Sequence, residues 1–528
     1  MPKMKAPASG VTVRMYRQGH GDCFLLAMRD PDGGPFYMLI DCGLWTGSEV
    51  APDRTIDRII ADIGEATGNH LNVVLITHEH MDHVNGFGAE DAQQQPHFDG
   101  IDIDETWLAW TEDATDSDAN KLRKRFGDTL LALAGAALKL RFAVDSRAKS
   151  SYETVRDLLM FETGATDEAS LHVALSELQS HAFAADGSKN MSNAVRKLKL
   201  AIKYIRDKAA NGVRFFSPGD DHQPVGKDGP RIYALGPPRS EELLLSLDPH
   251  SGEGFHIDSS ALGLMAATEP DPDPLRPKGR IFDKRFGLPR KELEKGDNDA
   301  SLAQLVRSAY GKDRSVAEVR GFFIDRYGRK ALGQPAAQTW RQIDDDWLNS
   351  AETLALRLNK EVNNTSLVIA IELPKTGKVL LFTGDAQRGN WISWGTLEWM
   401  VDGKKVKARD LLGRTVFYKV GHHGSHNATL SGEVTSDFAN LAWLASGKYE
   451  DEFVAVIPAN RVWAYGKEKP WPHPLKSIEE ALLKKARGRV FRSDLDDVAR
   501  PEDVSLAQWT KFKHKATDLY FEYTVSDK

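Results

Sequence analysis

The chain has 528 residues, 41% of them hydrophobic and 27% charged, with a formal net charge of -7. This composition excludes a largely disordered chain and a protein that coats nucleic acid through bulk positive charge, although it leaves room for a local basic groove. Two cysteines, Cys23 and Cys42, are too few for a disulfide framework or a cysteine-built zinc site, so a reducing cytoplasm is the expected compartment.

In chain order, the first residues, MPKMKAPASG, are basic but lack the apolar run of a secretory signal. Short β-rich runs follow at Val11–Tyr16, Phe24–Asp30 and Phe36–Gly43, separated by RQGHGDC and PDGGP, which predicts an antiparallel meander. Isoleucines 56, 59, 60 and 63 give Asp53–Ala66 a helical stripe, and Val73–Ile76 then reads as a short strand buried on both faces.

From Ala89 to about Gly212 the sequence turns helical and charged, with candidate helices at Ala119–Phe142, Tyr152–Glu162, Glu168–Ser180 and Met191–Ala209. Its most apolar stretch, Leu130–Leu140, is too short to span a bilayer, so no membrane association is expected. Strand-like runs at Val213–Pro218 and Arg231–Pro238 precede an irregular stretch from about Arg239 to Val362. The stretches 89–212 and 239–362 read as two insertions into one scaffold built from 11–88 and 363–528 with strands near 213–238, a single domain over 1–528.

Strands return at Thr365–Leu373, Lys378–Ala386 and within Thr415–His426. A helix is expected near Val434–Ala445, a strand at Phe453–Asn460, a helix at Pro474–Ala486, a strand at Gly488–Asp494 and a closing edge strand at Leu519–Val525.

The chemistry concentrates in loops at strand ends. His78, His80, Asp82 and His83 fit H-x-H-x-D-H directly after the strand at Val73, where imidazoles and carboxylates can converge on zinc, manganese or iron. Asp385 ends a buried run, where an acid is costly unless paired or metal-bound, and His422 and His423 end the next one. Two divalent ions sharing a water need about this many ligands.

These motifs resemble the metallo-β-lactamase fold superfamily. More narrowly, GHGDCFLL, LIDCG, NNTSLVIAIEL, LLFTGDA, YKVGHHGSHNAT and WPHP resemble the soluble hydrolase domain of ComEC-type DNA-uptake proteins and their stand-alone relatives. The resemblance covers about Val11–Gly86 and Asn363–Asp494 and implies an α/β fold, an αββα sandwich with large, mostly helical insertions and a site at one edge.

Carried over by motif, His78 and His80 hold a first metal, Asp82 and His83 a second, Asp385 bridges them and His422 completes the second. Where many members place a further histidine, this chain has Asn364; either Asn364 is a weak ligand, or His423 completes the first metal, or that metal binds less tightly. Asp22 and Asp41 either support the ligating histidines or cap turns, and Cys23 and Cys42 fill the core. Ser425 caps a following helix or contacts substrate, and His473 is the candidate donor to a scissile phosphate.

The expected activity is hydrolysis of a phosphodiester, with nucleic acid as a candidate substrate, assisted by two divalent ions, Zn2+ or Mn2+, with Asp82 orienting the nucleophile. The alternatives are a small-molecule esterase or lactonase, and an effector that binds protein partners through the insertions.

Overall fold

The meander expected at the N-terminus forms β1 (Gly10–Tyr16), β2 (Cys23–Arg29) and β3 (Pro35–Cys42), paired antiparallel in sequence order. The computed structural model describes residues 3–88, 97–140, 146–165, 167–183, 197–255, 346–467 and 470–528, with short pieces between 303 and 321. The irregular stretch expected between 239 and 362 therefore lies in large part outside the described residues.

After β3 come β4 (His70–Leu75), β5 (Asp102–Ala109), β6 (Val213–Phe216), β7 (Asp221–His222), β8 (Arg231–Gly236), β9 (Val368–Glu372) and β10 (Val379–Phe382). A separate hairpin, β11 (Glu398–Val401) and β12 (Lys404–Lys407), precedes β13 (Thr415–Lys419), β14 (Val454–Ile457), β15 (Val490–Arg492), β16 (His514–Ala516) and β17 (Tyr520–Ser526). One sheet runs β16-β17-β1-β2-β3-β4-β5-β6 and the other β15-β14-β13-β10-β9-β8-β7.

Side chains of both sheets meet in one core, with Phe24, Leu26, Met38, Ile40, Val73 and Leu75 against Ile369, Ile371, Leu380, Phe382, Val454 and Val456. The alternate residues face outward and are buried as well. Leu25, Leu39 and Val74 pack on Ile59, Ile60 and Ile63 of the helix Ile56–Thr67, and Ala370, Leu381 and Tyr418 pack on Trp391, Trp394 and Leu411. Burial on both faces explains why these strands read as continuous apolar runs. The layers are helix, sheet, sheet, helix, which is the αββα sandwich.

The helix Ile56–Thr67 shows how local signals and packing agree. Thr55 accepts a hydrogen bond from the Arg58 backbone N–H at its start, and Gly68, with φ 70°, ends it. Each buried isoleucine on its inner face contributes about 1.5–3 kcal/mol of apolar burial.

Four expectations need correction. Asp102–Ala109 lies inside the stretch read as helical, yet it is β5 and pairs with β4 and β6; Asp102, Asp104 and Glu105 at its start hide the apolar half, Trp107 to Ala109. An 18-residue helix, Asp346–Asn363, ends the stretch read as irregular and buries Ala355, Leu358 and Val362. No helix spans 434–445, because the Asn440 amide donates to Glu433 O and Phe438 O and accepts from Ala442 N–H, which leaves only the short turn Leu441–Trp443. Finally, β17 is not an edge strand, since it lies between β1 and β16.

By contacts the chain separates into one unit of residues 1–268 and 354–528 and a second of 269–353. In the described part of the second unit, Val306 and Val319 pack with Val316, and Ser315 and Glu318 exchange side-chain to backbone hydrogen bonds. Among the described residues no helix is long and apolar enough to cross a membrane.

Strand direction places the site. β3 to β6 run parallel to one another, as do β10, β13, β14 and β15, so the loops that leave their C-terminal ends open on one edge of each sheet.

Candidate metal centre

The H-x-H-x-D-H loop leaves the end of β4 and is fastened to the end of β3. Asp41 accepts from the Thr77 backbone N–H at 2.8 Å and from the Thr77 hydroxyl at 2.7 Å, and its Oδ2 lies 2.8 Å from His83 Nδ1. Asp82 and His83 then enter the short helix Met81–Val84. Gly43 permits this approach, because a Cβ there would lie 2.1 Å from the Asp82 carbonyl carbon and 2.2 Å from His83 N.

Around that loop the other strand ends close in. His423 Nε2 is 2.7 Å from Asp82 Oδ2 and 3.6 Å from Asp385 Oδ2, while His83 Nε2 is 3.3 Å from Asp385 Oδ1 and 3.7 Å from Asp82 Oδ1. Ligand atoms of Asp22, His83, Asp385 and His423 lie within 4.8 Å of one another, as do those of His20, Asp82 and His423. His78 adjoins through its ring, 4.1 Å from that of His83, and its Nε2 is 3.1 Å from His80 Nδ1.

His422 and His423 take different partners. His422 Nε2 meets the Asn363 amide at 3.2 Å and its ring packs on His473, whereas the side chain at Asp82 and Asp385 is that of His423. The loop achieves this with two successive left-handed residues, His422 at φ 41° and His423 at φ 52°. Such a conformation costs about 1–3 kcal/mol per residue and persists where surrounding contacts hold it, as the Pro458 carbonyl does at 2.9 Å from His423 Nδ1.

Asn364 is no ligand in this arrangement. Its Nδ2 donates to Leu243 O and Leu244 O, and its Oδ1 accepts from Gln387 N–H and from the Asn390 amide. Every hydrogen-bonding direction of the amide is taken up in holding the loops together.

A buried cation completes the centre. Lys419, the last residue of β13, sets its ammonium 2.5 Å from Asp22 Oδ2, 3.4 Å from Asp385 Oδ1 and 2.7 Å from Gly384 O. Burial alone would lower its pKa, but Asp22 and Asp385 outweigh that and raise it. Burial likewise would raise the Asp385 carboxyl, yet His83, His423 and Lys419 hold it well below the usual carboxylate range.

The donor set fits divalent metal ions. Burial pushes His20, His78 and His473 well below the ordinary histidine range and His422 to about 4, whereas against that burial the neighbouring carboxylates raise His80, His83 and His423, positive charge that a bound cation would replace. Among the described residues Asp82 Oδ1 and His422 Nδ1 also lack a hydrogen-bond partner, while His80 Nε2 and His83 Nε2 meet the carboxylates of Glu162 and Asp385, at 3.2 Å and 3.3 Å. Buried polar atoms without partners are costly, and a cation between them satisfies them together. Asp41 then stands behind His83, fixing its Nδ1 so that Nε2 faces the acids.

The centre opens into a cavity of about 460 Å³. Asp82, Asp385, His422, His423 and His473 line one side; Arg156, Leu158 and Phe161 from the helix Ser146–Thr163 and Leu356 and Lys360 from the helix Asp346–Asn363 line the other. The added helices reach the motif itself, for Glu162 Oε1 is 3.2 Å from His80 Nε2 and accepts from the Asn359 amide at 3.3 Å.

Among the residues singled out in the sequence, Asp82, His83, Asp385 and His423 come together, His78 and His80 adjoin them, and His422 and His473 form the neighbouring cavity wall. Ser425 lines the cavity and begins no helix. Cys23 and Cys42 face each other across β2 and β3 as buried free thiols. His20, Lys419 and Glu162 were missed. His20 lay within the quoted GHGDC turn and Lys419 within YKVGHH, and a lysine closing a buried strand was a readable signal; Glu162 had none.

Residues 16–195 match the family model of the Metallo-beta-lactamase superfamily. Comparison with curated proteins and with solved structures gave no match. The matched segment contains the complete H-x-H-x-D-H loop and the strands that hold it, so the chain carries a Metallo-beta-lactamase superfamily domain, the fold of a superfamily of metal-dependent hydrolases.

Proposed function

We propose that the protein is a metal-dependent phosphodiesterase whose substrate is a small or single-stranded phosphodiester. The observation that carries this reading is the buried His and Asp cluster, with unpartnered donor atoms, at the wall of a cavity that also presents His473, Arg156 and Lys467. Divalent ions held there supply positive charge to phosphoryl oxygens and lower the pKa of bound water.

The chain's own residues supply orientation. Asp82 spends Oδ2 on His423 and keeps Oδ1 free to accept a hydrogen from the attacking water. His473 directs Nδ1 toward His20 Nε2, 3.4 Å away, and lines the cavity, where its ring can meet a substrate oxygen. Leu158, Phe161, Leu356 and Trp45 limit water and limit size, and a cavity of about 460 Å³ suits a small ligand or a strand end rather than a duplex.

The same apolar wall favours a second reading, hydrolysis of a small carboxylic ester or lactone. The test is a panel run with Zn2+ or Mn2+: bis-p-nitrophenyl phosphate, linear single-stranded DNA, RNA, closed circular duplex DNA, and p-nitrophenyl and lactone esters. Cleavage of the diester and of linear single strands, with the closed duplex intact, is expected. Turnover of the esters alone would replace the first reading by the second.

A further inference from the structure

Three tryptophans stand together at the rim of the cavity. Trp45 and Trp471 meet edge to face at 4.6 Å and 79°, Trp463 and Trp471 at 5.8 Å and 88°, and Trp45 and Trp463 at 5.7 Å and 52°. Their rings form the sides of a box, and inside it sits the Lys467 ammonium, 3.5 Å from the Trp471 ring centre, 4.0 Å from Trp463 and 4.7 Å from Trp45. Cation–π attraction of this kind holds a charge while leaving it little water.

Each side of the box is seated on the metal centre. Trp463 packs on His20, whose ring lies 4.1 Å from that of His423; Trp471 packs on His473; and Trp45 stacks on Phe161, which packs on His80. Trp45, Trp471 and Lys467 all line the cavity. An ammonium carries three N–H donors, and π faces satisfy charge but not directed hydrogen bonds. Among the described residues no carboxylate lies within ion-pair distance of Lys467, while Lys360 on the cavity wall is paired with Asp248 and Arg156 with Asp157. Lys467 is thus the wall cation with unspent donors.

Resting on the phosphodiesterase reading, we propose that Lys467 in its tryptophan box is an anion-recognition subsite, which binds a phosphate of the substrate adjacent to the scissile diester. The box fixes the long side chain in advance, so that little ordering remains when the anion arrives, and it places three fluorophores around the recognising charge. The substrate class that follows is a phosphodiester with a second, neighbouring phosphate, as in a 5′-phosphorylated strand end.

The experiment has two arms. In the first, wild type, Lys467→Met and Lys467→Arg are assayed on a dinucleotide with and without a 5′-phosphate. Wild type is expected to favour the phosphorylated form by about tenfold in kcat/KM, the methionine variant to lose that preference and the arginine variant to keep most of it. In the second, inorganic phosphate is titrated into metal-free protein while tryptophan emission is read, with a saturable change expected in wild type and in Lys467→Arg but not in Lys467→Met. An unchanged substrate preference in Lys467→Met together with the same phosphate response overturns the proposal. Should neither dinucleotide be cleaved, the phosphodiesterase reading fails on its own and the emission titration still decides the subsite: a response lost in Lys467→Met supports it, and none in wild type ends it.

Discussion

His423 Nε2 lies 2.7 Å from Asp82 Oδ2, although 341 residues separate the two in sequence. The contact joins the loop after β4 in one sheet to the loop after β13 in the other, and it singles out one of two adjacent histidines. His423→Ala is expected to lower bound metal, measured by elemental analysis of the purified protein, and to reduce diester hydrolysis by at least about 100-fold. His422→Ala, which loses the Asn363 and His473 contacts, is expected to retain more of both. The reverse order would restore the motif-based assignment of His422.

Asp41 bonds to His83 and to Thr77 at once, which separates its two possible roles experimentally. Asp41→Asn retains an oxygen for the Thr77 backbone N–H but no longer supplies a carboxylate to His83 Nδ1. Metal affinity, measured by competition with a chelating dye, is expected to fall by about 10–100-fold. Unchanged affinity with a lowered unfolding temperature would make Asp41 a fastener of the Thr77 turn alone.

The parts of this molecule that the sequence discloses are those whose signals are local. Val73 to Ile76 are apolar without interruption because β4 is covered on both faces, and Gly43 and Gly68 mark a close approach and a helix end. The four candidate ligands in H-x-H-x-D-H are legible because their spacing already implies convergence. What depends on distant partners is not legible. β5 begins with acids, and its place in the sheet is set by β4 and β6. The different orientations of His422 and His423 are set by two left-handed residues and the Pro458 carbonyl, neither of which has a sequence signature. Glu162 reaches His80 only because a helix from elsewhere packs over the cavity.

A half-buried carboxylate outside the centre gives the fold an acid sensitivity. Asp248 accepts from Lys360 Nζ at 2.7 Å and pairs with His426 Nε2 at 2.9 Å. Burial alone would raise the Asp248 carboxyl, but the His426 hydrogen bond and the Lys360 ammonium hold it well below the ordinary range. Burial lowers His426 as well, even with Asp248 beside it. Both shifts have the same sign in stability. A depressed carboxylate stabilises the fold above its unfolded pKa and loses that contribution as pH falls, and a depressed histidine disfavours folding once the unfolded chain takes up its proton, below about pH 6.5. Denaturant unfolding of wild type and Asp248→Asn is therefore expected to show a gap at pH 7 that narrows toward pH 3; a gap independent of pH would place the effect in packing.

Glu162 tests whether the added helices belong to the centre. It stands 3.2 Å from His80 Nε2 and holds the Asn359 amide, so it links the helices Ser146–Thr163 and Asp346–Asn363 to the motif loop. Glu162→Ala is expected to weaken metal binding by about tenfold while the circular dichroism spectrum stays that of wild type. Loss of helical signal without loss of affinity would confine Glu162 to holding the two helices together.

Lys419 poses the sharpest electrostatic question, because a permanent ammonium stands among buried His and Asp side chains that could hold a metal ion. In the metal-free protein it offsets Asp22 and Asp385, both buried, together with His83 and His423. Removing one partner of a buried ion pair leaves an uncompensated charge and costs about 3–5 kcal/mol. Lys419→Met should therefore be strongly destabilised without metal. Divalent ions bring positive charge to the same carboxylates, and their binding free energy adds to the stability of the folded state alone. The expected outcome is a larger rise in unfolding temperature on adding Zn2+ or Mn2+ for Lys419→Met than for wild type, read by thermal denaturation across a metal titration. Equal rises in the two proteins would show that the ammonium and the metal ions act on different charges, and Lys419 would then be an anchor for Asp22 rather than a partner of the metal-binding acids.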